Sequence, residues 1–299
     1  MTGSGGPNAG PADGRPTARV IVGYDGSLEA SAAIEAGASL LPGARAWISH
    51  LWTPPFASEA LRRRLWRGTA AVNEFIDAIE REGAAEANRL ATMGVNLAAA
   101  AGWQAEALVE RTYGSEGLQL TQLAQRLEPD LVLVGSRGLG GAKAVLGSVS
   151  DMVVHYAPCP VLVVPHPLLI AERAALADGP VIVGWDGSAG AQAALAAAAR
   201  LFPARKLQLA GVGQGAGDTA AGDGYEMVTL AGGNQPTARS VGDALAVHAR
   251  RSAAALVVVG SRGGSAVREM LLGSVATATL RQAHRPTMVV PHTMSREGS

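Results

Sequence analysis

The chain has one cysteine, Cys159, in 299 residues. That excludes an internal disulfide and a cysteine-built zinc site, and it suits a reducing cytoplasm. Cys159 lies between two prolines just before an apolar strand, which favours a buried packing thiol over a redox sensor. There is no excess of charge either: Lys plus Arg equals Asp plus Glu at 25 each. A neutral chain offers no net field for nucleic acid or an anionic membrane. No stretch approaches the roughly 20 apolar residues needed to span a bilayer. The six histidines show no His-x-His or His-x-x-x-His spacing, so metal chemistry lacks support. Gly-x-Ser-x-Gly is missing, and so are the P-loop and the Gly-x-Gly-x-x-Gly fingerprint. An esterase elbow, a Walker-type ATPase and a dinucleotide dehydrogenase are thereby disfavoured.

What is present is a repetition. Val-Ile-Val-Gly-Tyr-Asp-Gly-Ser at 20–27 returns as Val-Ile-Val-Gly-Trp-Asp-Gly-Ser at 181–188. Leu-Val-Leu-Val-Gly-Ser-Arg-Gly at 131–138 returns as Leu-Val-Val-Val-Gly-Ser-Arg-Gly at 256–263. Each copy then reaches Gly-Ser-Val (147–149 and 273–275) and ends in an apolar strand closed by Pro-His (165–166 and 291–292). A period above a hundred residues means a duplicated domain and not a solenoid array.

Short apolar or alternating runs at 19–23, 47–52, 103–110, 130–135 and 160–164 read as strands, with Ala/Leu/Glu-rich helical stretches between them. The second copy repeats them at 180–184, 206–212, 225–230, 255–260 and 286–290. Runs such as Leu-Val-Leu-Val suit strands covered on both faces by crossover helices. The expected fold class is therefore α/β: two open, doubly wound, Rossmann-like domains of five parallel strands. The domains are placed at 19–166 and 180–292, with a linker at 167–179. The segment 1–18 is Gly/Pro-rich, without the layout of a signal peptide, and is expected to be a disordered tail. Residues 293–299 form a second tail.

The copies are unequal. The strand-one block is displaced by 161 residues (Val20 to Val181), the Gly-Ser-Arg-Gly block by only 125 (Gly135 to Gly260). About 36 residues are therefore gone from the second copy, between its second and third strands. The first copy holds a long amphipathic helix there, expected over 59–93; the second has a glycine-rich interval too short for one. One face of the second sheet should lack cover.

In an open α/β sheet, ligands bind beyond the carboxyl ends of the strands. Both repeated signatures end strands. A Gly-Ser-Arg-Gly turn facing a Gly-Ser helix start makes a plausible polyphosphate cradle, because free amides and a positive dipole end meet there. Asp25 and Asp186 support two readings, a helix N-cap or a carboxylate recognising ribose or base. Trp185 can pack near a base or in the core. Arg62, Arg63, Arg64 and Arg67 read as a solvated helix face. Asp218 and Asp223 are weak cation ligands.

On these blocks the chain resembles the universal stress protein family in its tandem-domain form. Nucleotide-binding members carry Gly-x2-Gly-x9-Gly-Ser/Thr. Gly260, Gly263, Gly273 and Ser274 match it; Gly135, Gly138, Gly147 and Ser148 do so with eight residues in place of nine before the last glycine. The resemblance implies ATP, with or without Mg2+, and a regulatory stress-response role without an assigned catalytic reaction. In the first copy it points to Gly23, Tyr24, Asp25, Leu51, Gly135, Ser136, Arg137, Gly138, Gly147, Ser148, Val149 and Ser150. In the second it points to Gly184, Trp185, Asp186, Val212, Gly260, Ser261, Arg262, Gly263, Gly273, Ser274 and Val275. Asp25 and Asp186 would lie beside the adenosine, and Leu51 and Val212 would offer backbone groups to the adenine edge. The glycine turns with Ser148 or Ser274 would hold ribose and phosphates. Ser150 adds a hydroxyl that the second copy replaces with Ala276.

The resemblance also implies pairing of the two domains through their fifth strands, Val161–Val164 and Thr287–Val290. A homodimer and a further protein partner are compatible with it. Two other functions compete: a slow ATP hydrolase or phosphotransfer enzyme at the same site, and a nucleotide-free interaction module.

Overall fold

The computed structural model describes residues 17–53, 72–136, 146–213, 224–232, 236–262 and 272–291. The first half runs β1 (Arg19–Gly23), α1 (Leu28–Leu40), β2 (Arg45–Trp52), α2 (Val72–Ala100) and β3 (Gln104–Arg111). It continues through α3 (Glu116–Leu127), β4 (Leu131–Gly135), α4 (Ser148–Tyr156) and β5 (Val161–Val164). After a short helix, α5 (Ile170–Ala175), come β6 (Val181–Gly184), α6 (Ala189–Leu201), β7 (Leu207–Val212) and β8 (Glu226–Leu230). The chain closes with α7 (Ala238–Arg251), β9 (Leu256–Gly260), α8 (Ser274–Gln282) and β10 (Thr287–Val290).

The strands form one sheet of ten in the order β3-β2-β1-β4-β5-β10-β9-β6-β7-β8. Within each half every pairing is parallel. The halves meet antiparallel, Leu162 opposite Met288, with both residues fully buried. The expected fold is thus found as two five-stranded halves fused into a single sheet. Because the seam is antiparallel, the carboxyl ends of the two halves lie on opposite edges of that sheet.

Alternation along each strand builds two core layers. Val20 and Val22 face a layer with α1, α6 and the linker residues Leu168 and Leu176. Ile21 faces the other layer, with Leu120, Leu123, Val153 and, in the second half, Leu245 and Ala276. Both layers run across the seam, so burying strands on two faces explains their near-continuous apolar runs.

Two details depart from expectation. The long helix extends to Ala100, past the expected end at 93, because Gly94 is needed within it. A Cβ there would come within 2.6 Å of Ile48 and 2.9 Å of Tyr24, so the missing side chain lets α2 lie on the sheet. Residues 59–71 of that expectation, with the arginine cluster, fall outside the described residues. The linker is a docked element: it carries α5, Ala175 and Leu176 are buried, and Arg205 donates to Leu176 (2.6 Å), Gly179 (3.1 Å) and Ser39 (3.2 Å) carbonyls. A short helix with one buried turn leaves little periodicity to read.

A further detail concerns the trimmed half. Among the described residues no helix lies between β7 and β8. Where Tyr24 packs against Gly94 of α2 in the first half, the second half places the larger Trp185, 7% exposed, in the same core layer. Leu162 sits at the centre of the seam. Leu162→Ala should destabilise the chain by about 2–5 kcal/mol, measured as a lower midpoint in urea unfolding.

Candidate functional site

Glycine spacing at the carboxyl edge has a packing cause. A Cβ on Gly260 would lie 2.5 Å from the Gly190 carbonyl oxygen, and one on Gly190 would lie 1.9 Å from that of Arg262. A Cβ on Gly273 would stand 2.9 Å from the Ser261 carbonyl oxygen. The end of β9, the first turn of α6 and the start of α8 therefore meet backbone to backbone. Two hydrogen bonds fix the turn: Ser261 N–H donates to Val290 (2.7 Å) and Gly273 N–H to Ser261 (2.7 Å). The first half repeats them, Ser136 to Val164 (2.8 Å) and Gly147 to Ser136 (2.8 Å).

Helix capping separates the helices at this edge. Ser27, Ser115, Ser188 and Thr237 cap α1, α3, α6 and α7 with side-chain oxygens that accept first-turn amides. Helices α4 and α8 begin at Gly147 and Gly273, which supply no side-chain cap. Their first-turn amides, including those of Ser148, Val149, Ser274 and Val275, carry the positive end of the helix and suit an anion.

The N-cap reading of the aspartates does not hold. Ser27 and Ser188, not Asp25 and Asp186, are the N-caps. Each aspartate accepts the amide two residues on, Asp25 from Ser27 and Asp186 from Ser188, both at 3.0 Å. The following Gly26 and Gly187 have φ of 83° and 73°, which only glycine adopts without strain. The turn orients the carboxylate at the sheet edge.

In the second half these pieces enclose a cleft of about 270 Å3. Nine of the eleven residues expected there line it: Gly184, Trp185, Asp186, Val212, Gly260, Arg262, Gly273, Ser274 and Val275. Ser261 sits in the turn beside them, and Gly263 lies outside the described residues. The apolar wall is completed by Ala191, Ala210, Pro236, Val241, Leu245, Val259 and Ala276. The repeat did not point to α7, because its contribution is apolar and looks like any amphipathic helix. Trp185 combines both sequence readings: it is buried, it lines the cleft, and its indole N–H has no hydrogen-bond partner.

In the first half Gly23, Tyr24, Asp25, Leu51, Gly135, Ser136, Gly147, Ser148, Val149 and Ser150 come to the opposite edge on the same elements. Arg137 and Gly138 lie outside the described residues, as do Asp218 and Asp223. Two residues that the motifs did not single out join this edge. His50, at the end of β2, donates Nδ1–H to the Tyr24 carbonyl (2.8 Å), since a carbonyl can only accept. Glu116 opens α3; partial desolvation raises its carboxyl pKa, His50 pulls it down and Asp25 pushes it up.

Comparison with known proteins agrees with this geometry. The model of the universal stress protein family matches residues 17–165 and 236–291, and the chain belongs to that family. A universal stress protein of Thermus aquaticus is 33% identical over 158 residues, covering 48% of this chain and 96% of its own length. One from Mycobacterium tuberculosis is 32% identical over 194 residues, covering 54% of this chain and 62% of that relative. The crystal structure of a universal stress protein from Archaeoglobus fulgidus superposes with a TM-score of 0.65, at 19% identity, over 92% of this chain and 98% of its own.

Two outcomes follow. Gly260→Ala forces a Cβ against backbone and should destabilise the protein by about 1–3 kcal/mol, read in urea unfolding. Cys159 is half-buried, and desolvation, with Asp130 adding to it, pushes its thiol up to about 12. At pH 8 about one thiol in ten thousand is then ionised, so its reaction with a disulfide reagent should be far slower than that of free cysteine.

Proposed function

We propose that this chain binds ATP at the carboxyl edge of its sheet and acts as a regulatory stress-response protein. The observation that supports this most is the second-half cleft, where an apolar wall faces an uncapped helix start. Leu245, Val259 and Trp185 suit a base; Asp186, oriented by its turn, suits ribose hydroxyls; the α8 amides and Arg262 suit phosphates. An accompanying Mg2+ would be held by phosphate oxygens. Among the described residues no group of three or more His, Cys, Asp or Glu side chains gathers for a metal.

The same cleft favours binding over turnover. Asp186 is the only carboxylate among the described residues that line it, and one of its oxygens accepts the Ser188 amide. A general base must be placed to take a proton from an attacking water, and with Asp186 at the ribose no other carboxylate of the described lining is left for that role.

Calorimetric titration with ATP, together with mass spectrometry of nucleotide retained on purification, tests the reading. Binding is expected, and Asp186→Ala should weaken it at least tenfold. Absence of binding to the intact protein would contradict it. Steady ADP release that Gly273 substitutions abolish would favour hydrolysis.

A further inference from the structure

The two edges differ residue by residue once strand register aligns them. Gly23 pairs with Ser49 and Gly184 with Ala210, so Ser49 corresponds to Ala210 and His50 to Gly211. Leu51 pairs with Glu110 and Val212 with Leu230, so Glu110 corresponds to Leu230. The caps Ser115 and Thr237 align Glu116 with Ala238 and Gln119 with Val241. Ser150 and Ala276 occupy the third position of α4 and α8. Val241, Ala210 and Ala276 form part of the apolar wall in the second half; their counterparts are all polar.

Those polar groups are largely spent on one another. Ser150 Oγ donates to the Gly135 carbonyl at 2.6 Å, leaving no proton for a phosphate, which can only accept. Tyr24 hydroxyl pairs with Ser31 Oγ at 3.5 Å, and His50 Nδ1–H is taken by Tyr24. Gln119 Nε2 donates to Glu110 at 2.9 Å, and Arg126 also pairs with Glu110. Ser49 Oγ is the exception, buried without a partner. In the second half the balance is reversed: the buried Trp185 N–H has no acceptor.

Charge separates the edges further. Among the described residues both edges hold the strand-one aspartate, and the first adds Glu116, which interacts electrostatically with His50 and Asp25. The residue is exposed, so salt weakens its field, yet over distances below about 8 Å screening is incomplete. A polyphosphate beside two carboxylates meets like charge, and rejecting a ligand by like charge is a recognised route to specificity.

We propose that the two sites are not equivalent: one nucleotide binds tightly per chain, in the second half, and Glu116 turns polyphosphate away from the first. This rests on the ATP reading above. The antiparallel seam puts the sites on opposite edges of the sheet, so neither borrows a wall from the other.

ATP titration of the full chain by calorimetry separates the two claims. The expected result is one tight equivalent, lost in Asp186→Ala, with any second equivalent at least tenfold weaker. In the Asp186→Ala background, Glu116→Gln and Glu116→Ala should each strengthen the residual binding at least threefold, with unchanged circular dichroism. Two equivalents of equal affinity would overturn the proposal while leaving the ATP reading standing. Residual binding unmoved by both Glu116 variants would overturn the role of that residue. No binding in any variant would remove the ATP reading itself.

Discussion

Four-residue strands hold the two halves together: β5 and β10 pair antiparallel with Leu162 facing Met288. Nearly every feature of the molecule follows from that contact. It converts two sheets into one and lets the apolar layers on both faces run unbroken across the seam. It also sends the carboxyl ends of the halves in opposite directions, so each binding edge must be built from its own half. Cross-seam ion pairs such as Arg200 with Asp130 at 2.6 Å sit at the surface and add little beside that burial. The docked linker, to which Arg205 donates two hydrogen bonds, at Leu176 and Gly179, fixes the same arrangement from outside.

At each edge the glycines do two things with one geometry. Where backbone must touch backbone, as between Gly190, Arg262 and Gly260, a Cβ has no room. The same substitution of glycine for a capping serine leaves α4 and α8 with first-turn amides available to a ligand. Packing thereby leaves a helix start that suits an anion without a dedicated side chain. Specificity would then come from the walls, and there the halves diverge: apolar Val241, Ala210 and Ala276 on one side, Gln119, Ser49 and Ser150 on the other.

The repeat made the architecture and the edge legible. Strand ends were read to within two residues because doubly covered strands leave little but Val, Ile and Leu between turns. The cleft was legible wherever a motif glycine or aspartate marked it, from Gly184 to Val275. Helix α7 and residues His50 and Glu116 were not, for a physical reason. Their positions depend on register between distant strands and on which helix face meets the sheet, and neither is written in local spacing. The shorter interval in the second half could be counted from the offsets of the repeat.

Hydrogen exchange with and without ATP tests the central claim most directly, because the claim concerns particular backbone amides. The account predicts slowed exchange over residues 272–276, at the start of α8, with much smaller slowing over 146–150. Equal protection at both helix starts would contradict the inequality of the sites, and no protection at either would contradict nucleotide binding at these glycine-capped helices.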